Sequence, residues 1–205
     1  IYRFALREIP GAFRRAWSIE NERLERRDKS VWHTDNQILQ SMAVAAVLQF
    51  SLIIAFGLPM ILFLAIHNMF AWWQLTSANY IEHYGLLRMK DDDGRYERCQ
   101  PHHSWNSNHL FSNLVLFHLE RHSDHHAHPL RRYQSLRHFD DLPTLPSGYF
   151  GAYVLAWIPP LWYHVMDPKL LALPHVAGNF EHLNIDPDRR ADIVAKHGKA
   201  AETAA

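Results

Sequence analysis

The chain has 205 residues, enough for one domain with a sizeable core. Its 21 Lys+Arg balance 21 Asp+Glu, so no global field gathers nucleic acid or an acidic partner. Cys99 is the single cysteine, which excludes a disulfide framework and a thiolate cluster; a metal site here must be built from nitrogen and oxygen.

The mean hydropathy of −0.27 hides a strong segregation of apolar residues. Ile1 to Lys29 places Phe4, Ala5, Ile9, Phe13, Trp17 and Leu24 at roughly helical spacing among Arg3, Arg7, Arg14, Arg15, Arg23, Arg26 and Arg27. It reads as one amphipathic basic helix, or two broken at Pro10-Gly11, lying on a membrane surface or against a cytoplasmic cap. Between Asp35 and Glu82 there is no Asp, Glu, Lys or Arg. That run exceeds the ~20 apolar residues of one bilayer crossing and fits two. Ile38 to about Leu58 and Met60 to about Ser77 are the two spans, with Gly57 and Pro59 at the turn and Trp72 and Trp73 near the far end. Arg residues before and Arg88, Lys90, Arg95 and Arg98 after put both outer ends in the cytoplasm. Gln49 and His67 interrupt the run as helix–helix hydrogen bonders.

Asn79-Tyr80-Ile81-Glu82-His83-Tyr84-Gly85 continues the second helix beyond the lipid and delivers His83 at its cytoplasmic end. Asp91-Asp92-Asp93-Gly94 is a solvated turn without calcium-loop spacing. Asn106, Ser107 or Asn108 can cap the helix that follows, and His102, His103 and His109 read as surface or supporting groups. The stretch from Phe117 to His128 is the centre of the chain. Read as a helix, it stacks His122, His125 and His126 at i, i+3 and i+4, with His118 one turn earlier, and it ends near Pro129. Clustered imidazoles hold iron, zinc, copper or nickel, whereas a solvated face normally uses Lys and Glu. Arg131 to Pro146 is loop-like, with Asp140 and Asp141 as possible orienters of imidazole. Gly148 to Val165 is apolar, broken by Pro159-Pro160, and suits an interfacial segment. Ala200 to Ala205 reads as a frayed tail. The expected architecture is an all-α integral membrane protein in one domain, residues 1–205. It comprises an amphipathic segment 1–37, a transmembrane hairpin 38–80 and a cytoplasmic His-rich helical cap 81–205 with an interfacial segment near 148–165.

Two of these stretches carry a resemblance. Asn79 to Gly85 resembles the NYxEHYG element of the membrane alkane 1-monooxygenases, and Leu119 to Ala127 resembles their LQRHSDHHA box, with Glu120 where Gln is common. That resemblance implies a non-haem diiron centre of two iron ions, ligated here by His83, His122, His125 and His126, with Asp124 and Glu82 in support. It implies insertion of one atom of O2 into the terminal C–H bond of a medium-chain alkane, with electrons from rubredoxin, in the bacterial inner membrane and with the site facing the cytoplasm. Phe50, Leu62, Ile66 and Phe70 are candidate walls of a substrate route, and Arg131, Arg132 and Arg137 candidate docking residues for rubredoxin. The family's HExxHK and EHxxGHH boxes do not occur, and four histidines do not fill two irons. The chain, which begins Ile1-Tyr2-Arg3 without Met, therefore reads as the C-terminal part of a larger enzyme and as inactive alone. A related membrane diiron desaturase or hydroxylase, or a non-catalytic metal-binding membrane protein, are the alternatives. No nucleic acid is expected.

Overall fold

The structure is a computed structural model that describes residues 1–202, with side chains through Gly198; Thr203 to Ala205 of the expected tail lie outside the described residues. It is all-helical: among the described residues there are no strands, only three isolated β-bridges. The helices are α1 (Tyr2–Glu25), α2 (Gln37–Phe56), α3 (Pro59–His83), α4 (Leu110–Val115), α5 (His122–Ala127), α6 (Tyr149–Ala156), α7 (Pro159–Leu171) and α8 (Arg190–Glu202). The chain forms two compact units, Tyr2–Thr76 and the residues from Ser77 onward.

In the first unit α1 runs unbroken through Pro10, against the expected break at Pro10-Gly11. Proline removes the one helical N–H that would bond the Leu6 carbonyl, and Leu6 is exposed, so the loss falls on a solvent-facing part of the helix. The corner between α1 and α2 is built from charge and capping. Glu20 accepts from Arg23 Nε at 2.7 Å and Nη2 at 2.6 Å, and from the Gln37 N–H at 2.6 Å. Asn36 caps α2 by accepting from the N–H groups of Ile38 and Leu39, at 2.9 and 3.1 Å, and donates to the Val31 carbonyl. Gly57, at φ +80°, ends α2, and Pro59 starts α3.

Of the described helices one, α2, is long and apolar enough to cross a membrane. Its 20 residues reach about 30 Å, the thickness of a hydrocarbon core. The second expected span is one 25-residue helix, but His67, Asn68 and Gln74 lower its hydropathy. Asn68 is the reason for part of that polarity: its Nδ2 donates to Gln49 Oε1 at 3.1 Å and ties α3 to α2. Gln49 thus bridges the helices as expected, while the partner is Asn68; His67 instead meets its neighbour Asn68 at 3.4 Å and stacks on Phe63.

The second unit is made of short helices and ordered loops. Gly85 stops α3 at φ +70°, and a Cβ there would stand 2.1 Å from Leu170 Cδ2. The long histidine helix of the sequence reading is replaced by two pieces. Phe117 and His118 adopt left-handed backbone, φ 52° and 59°, between α4 and α5. That reversal turns the fully buried Glu120 inward, where Oε1 accepts from the Tyr149 N–H at 2.8 Å and Oε2 from the His109 N–H at 3.1 Å. One carboxylate thereby holds three separate segments, and His118 leaves the row of imidazoles to bond the Tyr133 carbonyl. The apolar 148–165 segment breaks into α6 and α7 at the prolines, as expected, and Trp157 donates to Ser77 Oγ at 3.1 Å beneath α3.

Candidate metal centre

The last turn of α3 contributes His83 and α5 contributes His122 and His126. Their three Nε2-bearing rings converge, with ligand atoms all within 4.8 Å of one another. His122 Nε2 stands 2.8 Å from His126 Nε2 and 3.3 Å from His83 Nε2. The ring centroids are 4.4 to 5.2 Å apart. Positions i and i+4 of α5 face His83. His125, at i+3, is turned off that face; its ring lies 5.9 Å from His122 and 5.5 Å from His126. It lines a separate groove with Leu116, Phe117, Leu119, Pro129, Arg131, Tyr133 and Leu136. Three of the four expected ligands are therefore brought together, and His125 stands beside them.

All three convergent rings are held neutral. Burial first, then the neighbouring imidazoles, push His122 down to about 2; burial, then His83, His125 and the Arg88 guanidinium, push His126 to about 4. Burial lowers His83 as well, partly offset by its Nδ1 contact with the His103 carbonyl at 3.4 Å. A neutral imidazole carries one N–H and one lone pair; with the proton on Nδ1, each Nε2 presents its lone pair to the shared space. The donor set thus fits a borderline transition metal.

Glu82, 5% exposed, points the same way. Its Oε2 is 3.4 Å from His122 Nε2, and its Oε1 has no hydrogen-bond donor. Burial pushes its carboxyl up to about 7, against a lowering by the Tyr149 hydroxyl beside it.

Two side chains hold α5 in place. Asn106 Oδ1 accepts from the Ser123 N–H at 2.9 Å, so it caps α5 from 17 residues upstream, while its Nδ2 donates to Ser123 Oγ at 2.6 Å and to the Ser104 and Pro143 carbonyls. Asp124, 1% exposed, accepts from Arg131 Nη1 at 2.8 and 2.5 Å and from the Arg137 backbone N–H at 2.9 Å and Nη2 at 3.0 Å. His128 Nδ1 lies 3.2 Å from it. These cations hold the Asp124 carboxyl down at about 2 despite its burial. Arg131 and Arg137, read from sequence as docking residues, pair with Asp124 while their side chains stay 25% and 51% exposed. Asp140 faces His138 at 3.3 Å, and Asp141 is exposed.

Sequence reasoning missed the part played by His103, whose backbone rather than ring supports His83; no sequence signal marks a carbonyl. Its ring is engaged with the Gln100 N–H and Glu97, and packs on His102, which packs on His175. Of the expected wall residues, Phe50 lines a groove of about 390 Å³ along α2 with Met42, Ala45, Ala46, Gln49 and Ile53; Leu62, Ile66 and Phe70 are exposed on α3.

The family described as fatty acid desaturase matches residues 1–149. An alkane 1-monooxygenase of Ectopseudomonas oleovorans is 57% identical over 201 residues, 98% of this chain and 50% of that protein. One of Pseudomonas putida is 59% identical over 196 residues, 96% of this chain and 48% of that protein. The hydroxylase component of a xylene/toluene monooxygenase of Pseudomonas putida is 31% identical over 175 residues, 83% of this chain and 45% of that protein. The chain spans about half the length of the curated relatives it matches. With the histidines of α3 and α5 converging inside the matched region, the chain belongs to the fatty acid desaturase family, and within it is similar to the alkane 1-monooxygenases.

Proposed function

We propose that this chain forms part of an alkane 1-monooxygenase that hydroxylates the terminal carbon of medium-chain n-alkanes. The observation that carries the reading is the convergence of His83, His122 and His126 on one space, in a chain so similar to enzymes of that name. These three would hold one iron, and His125 would serve the second, with the further donors supplied by the part of the enzyme that this chain does not span. Such an iron pair supplies the O2-derived oxidant that an unactivated C–H bond requires. The chain's own residues do the rest. The His103 carbonyl orients His83, and Asn106 and Asp124 fix α5, so the imidazoles stay aimed without reorganisation. Glu82, poised near neutrality, holds or releases a proton beside His122.

The apolar helices place this chemistry at a bilayer. We read α2 and α3 as a transmembrane hairpin of an inner-membrane, multi-pass protein with the cap in the cytoplasm. The groove along α2 at Phe50 is long and apolar enough to take an alkyl chain from the lipid. Rubredoxin is the proposed electron donor. Arg131, Arg132 and Arg137 are the proposed docking cations, Arg132 and Arg137 being the exposed ones.

The test is octane conversion by the intact enzyme carrying His122→Ala with His126→Ala, alongside iron per chain. Loss of both 1-octanol and iron is expected; retention of the full iron content would remove the site assignment. An acyl thioester gives no desaturated product in this reading; the similarity to a xylene/toluene hydroxylase favours hydroxylation too. This chain by itself should convert no octane.

A further inference from the structure

One residue beyond His83, the chain places a phenol among aromatic rings and ties it to a carboxylate. The Tyr84 hydroxyl donates to Asp167 Oδ1 at 2.5 Å, a short charge-assisted bond across 83 residues of sequence. The other carboxylate oxygen, Oδ2, lies 3.3 Å from His197 Nε2. Around Tyr84 stand Trp162 at 5.3 Å, Tyr80 at 5.5 Å and Tyr163 at 6.3 Å between centroids, and Trp162 and Tyr80 are themselves 5.7 Å apart. Trp105 Nε1 donates to the Tyr84 carbonyl at 2.8 Å.

Packing accounts for the rings, and the phenol–carboxylate bond satisfies a buried hydroxyl; the pair also supplies a proton acceptor at hydrogen-bond distance. A phenol gives up an electron readily only when its proton can leave at the same moment, because the protonated radical cation is a very strong acid. Asp167 is placed to take that proton, and rings within van der Waals reach let the electron vacancy move.

We propose that Tyr84 is a redox-active tyrosine that passes its phenolic proton to Asp167 when a one-electron oxidant removes an electron from its ring. The step balances. The oxidant gains one electron, the O–H bond of Tyr84 breaks, a proton adds to Asp167 Oδ1, and a neutral tyrosyl radical remains. A one-electron reductant reverses it, returning the proton to oxygen. In the setting of the proposed oxygenase, this gives oxidising equivalents made beside His83 an exit when no substrate is bound. That role rests on the metal-centre reading; the redox activity of Tyr84 does not.

The experiment is therefore independent of iron. The full chain in lipid nanodiscs is oxidised by photogenerated ruthenium(III) tris-bipyridyl, and the radical is read by electron paramagnetic resonance and transient absorption. Replacing Tyr84 by a difluorotyrosine keeps the fold and should add fluorine splitting to the radical spectrum. Asp167→Asn should abolish the long-lived part of the signal and the solvent deuterium effect on its formation. Tyr84→Phe should remove the same component. A radical without fluorine splitting in the difluorotyrosine protein, or one with unchanged lifetime in Asp167→Asn, overturns the proposal. If the radical forms at Tyr84 but the enzyme holds no iron at His83, only the role in the oxygenase fails.

Discussion

Replacing Asp124 by Ala tests what keeps a six-residue helix folded. An isolated helix this short is unstable in water, so α5 persists only through outside contacts. Asp124 accepts from two guanidinium groups and one backbone N–H while 1% exposed. Removing one partner of a fully buried pair costs about 3–5 kcal/mol, because the other charge is left stranded. Here the Arg131 side chain is 25% and Arg137 51% exposed, so both recover some water. The orphaned Arg137 N–H and the lost pairing then leave a cost of about 3 kcal/mol, the lower end of that range. If it falls on α5, His122 and His126 must be reassembled at each metal-binding event, and affinity drops by roughly a hundredfold. Thermal melts in micelles give the stability term, and competition with a chromophoric chelator for cobalt(II) gives the affinity. A double-mutant cycle apportions it, with the larger coupling expected for Arg131. Unchanged cobalt affinity and unchanged ligand-field bands in Asp124→Ala would refute the claim that this carboxylate positions the imidazoles.

Gly85→Ala should destabilise the second unit by more than about 2 kcal/mol, since it adds left-handed strain to a 2.1 Å approach on Leu170, and thermal melting reads the loss. Asn106→Ala removes the cap of α5 and leaves the Ser123 N–H without a partner, while the Pro143 carbonyl keeps the backbone N–H of residue 106. A loss of about 1–3 kcal/mol is expected, with Asn106→Asp recovering the Ser123 N–H bond. Glu20 carries a pH signature. Its carboxyl is lowered to about 2 by the Arg23 hydrogen bonds first and then the Gln37 N–H. A depressed acid contributes stability above its unfolded value and loses it as pH falls toward the folded one. The α1–α2 corner should therefore loosen between about pH 4.5 and pH 2, and helical melts of Glu20→Gln should be flatter across that window.

Much of this was readable because the signals are local. The absence of charge from Asn36 to Ile81 and the Gly57–Pro59 turn set α2 and α3, and the i, i+4 spacing brought His122 and His126 to one face. The family motifs named His83 as their partner, and the two rings do meet. What escaped the sequence depends on contacts between remote segments. Spacing suggested one long histidine helix, but two left-handed residues break it because Glu120 has to reach the Tyr149 and His109 amides. The pairing of Arg131 and Arg137 with Asp124 was not legible, because nothing in a linear sequence says that Asp124 is buried. Asn106 was expected among the cap candidates, yet it caps α5 from across a loop rather than from the preceding position.

Three acids are buried in the second unit, and each disposes of its charge differently. Asp124 is neutralised by arginines. Glu120 spreads its charge over two backbone amides. Glu82 has neither: one oxygen faces Nε2 of His122, and the neutral Tyr149 hydroxyl stands beside the carboxyl. A buried carboxylate left in that state avoids the cost either by taking up a proton, as its rise to about 7 indicates, or by lying next to a positive charge. The imidazoles beside it have been driven neutral, so they provide no such charge themselves. The metal ion proposed among His83, His122 and His126 would lie beside Glu82 and favour its ionised form, so occupancy of the site and the protonation of Glu82 would be linked.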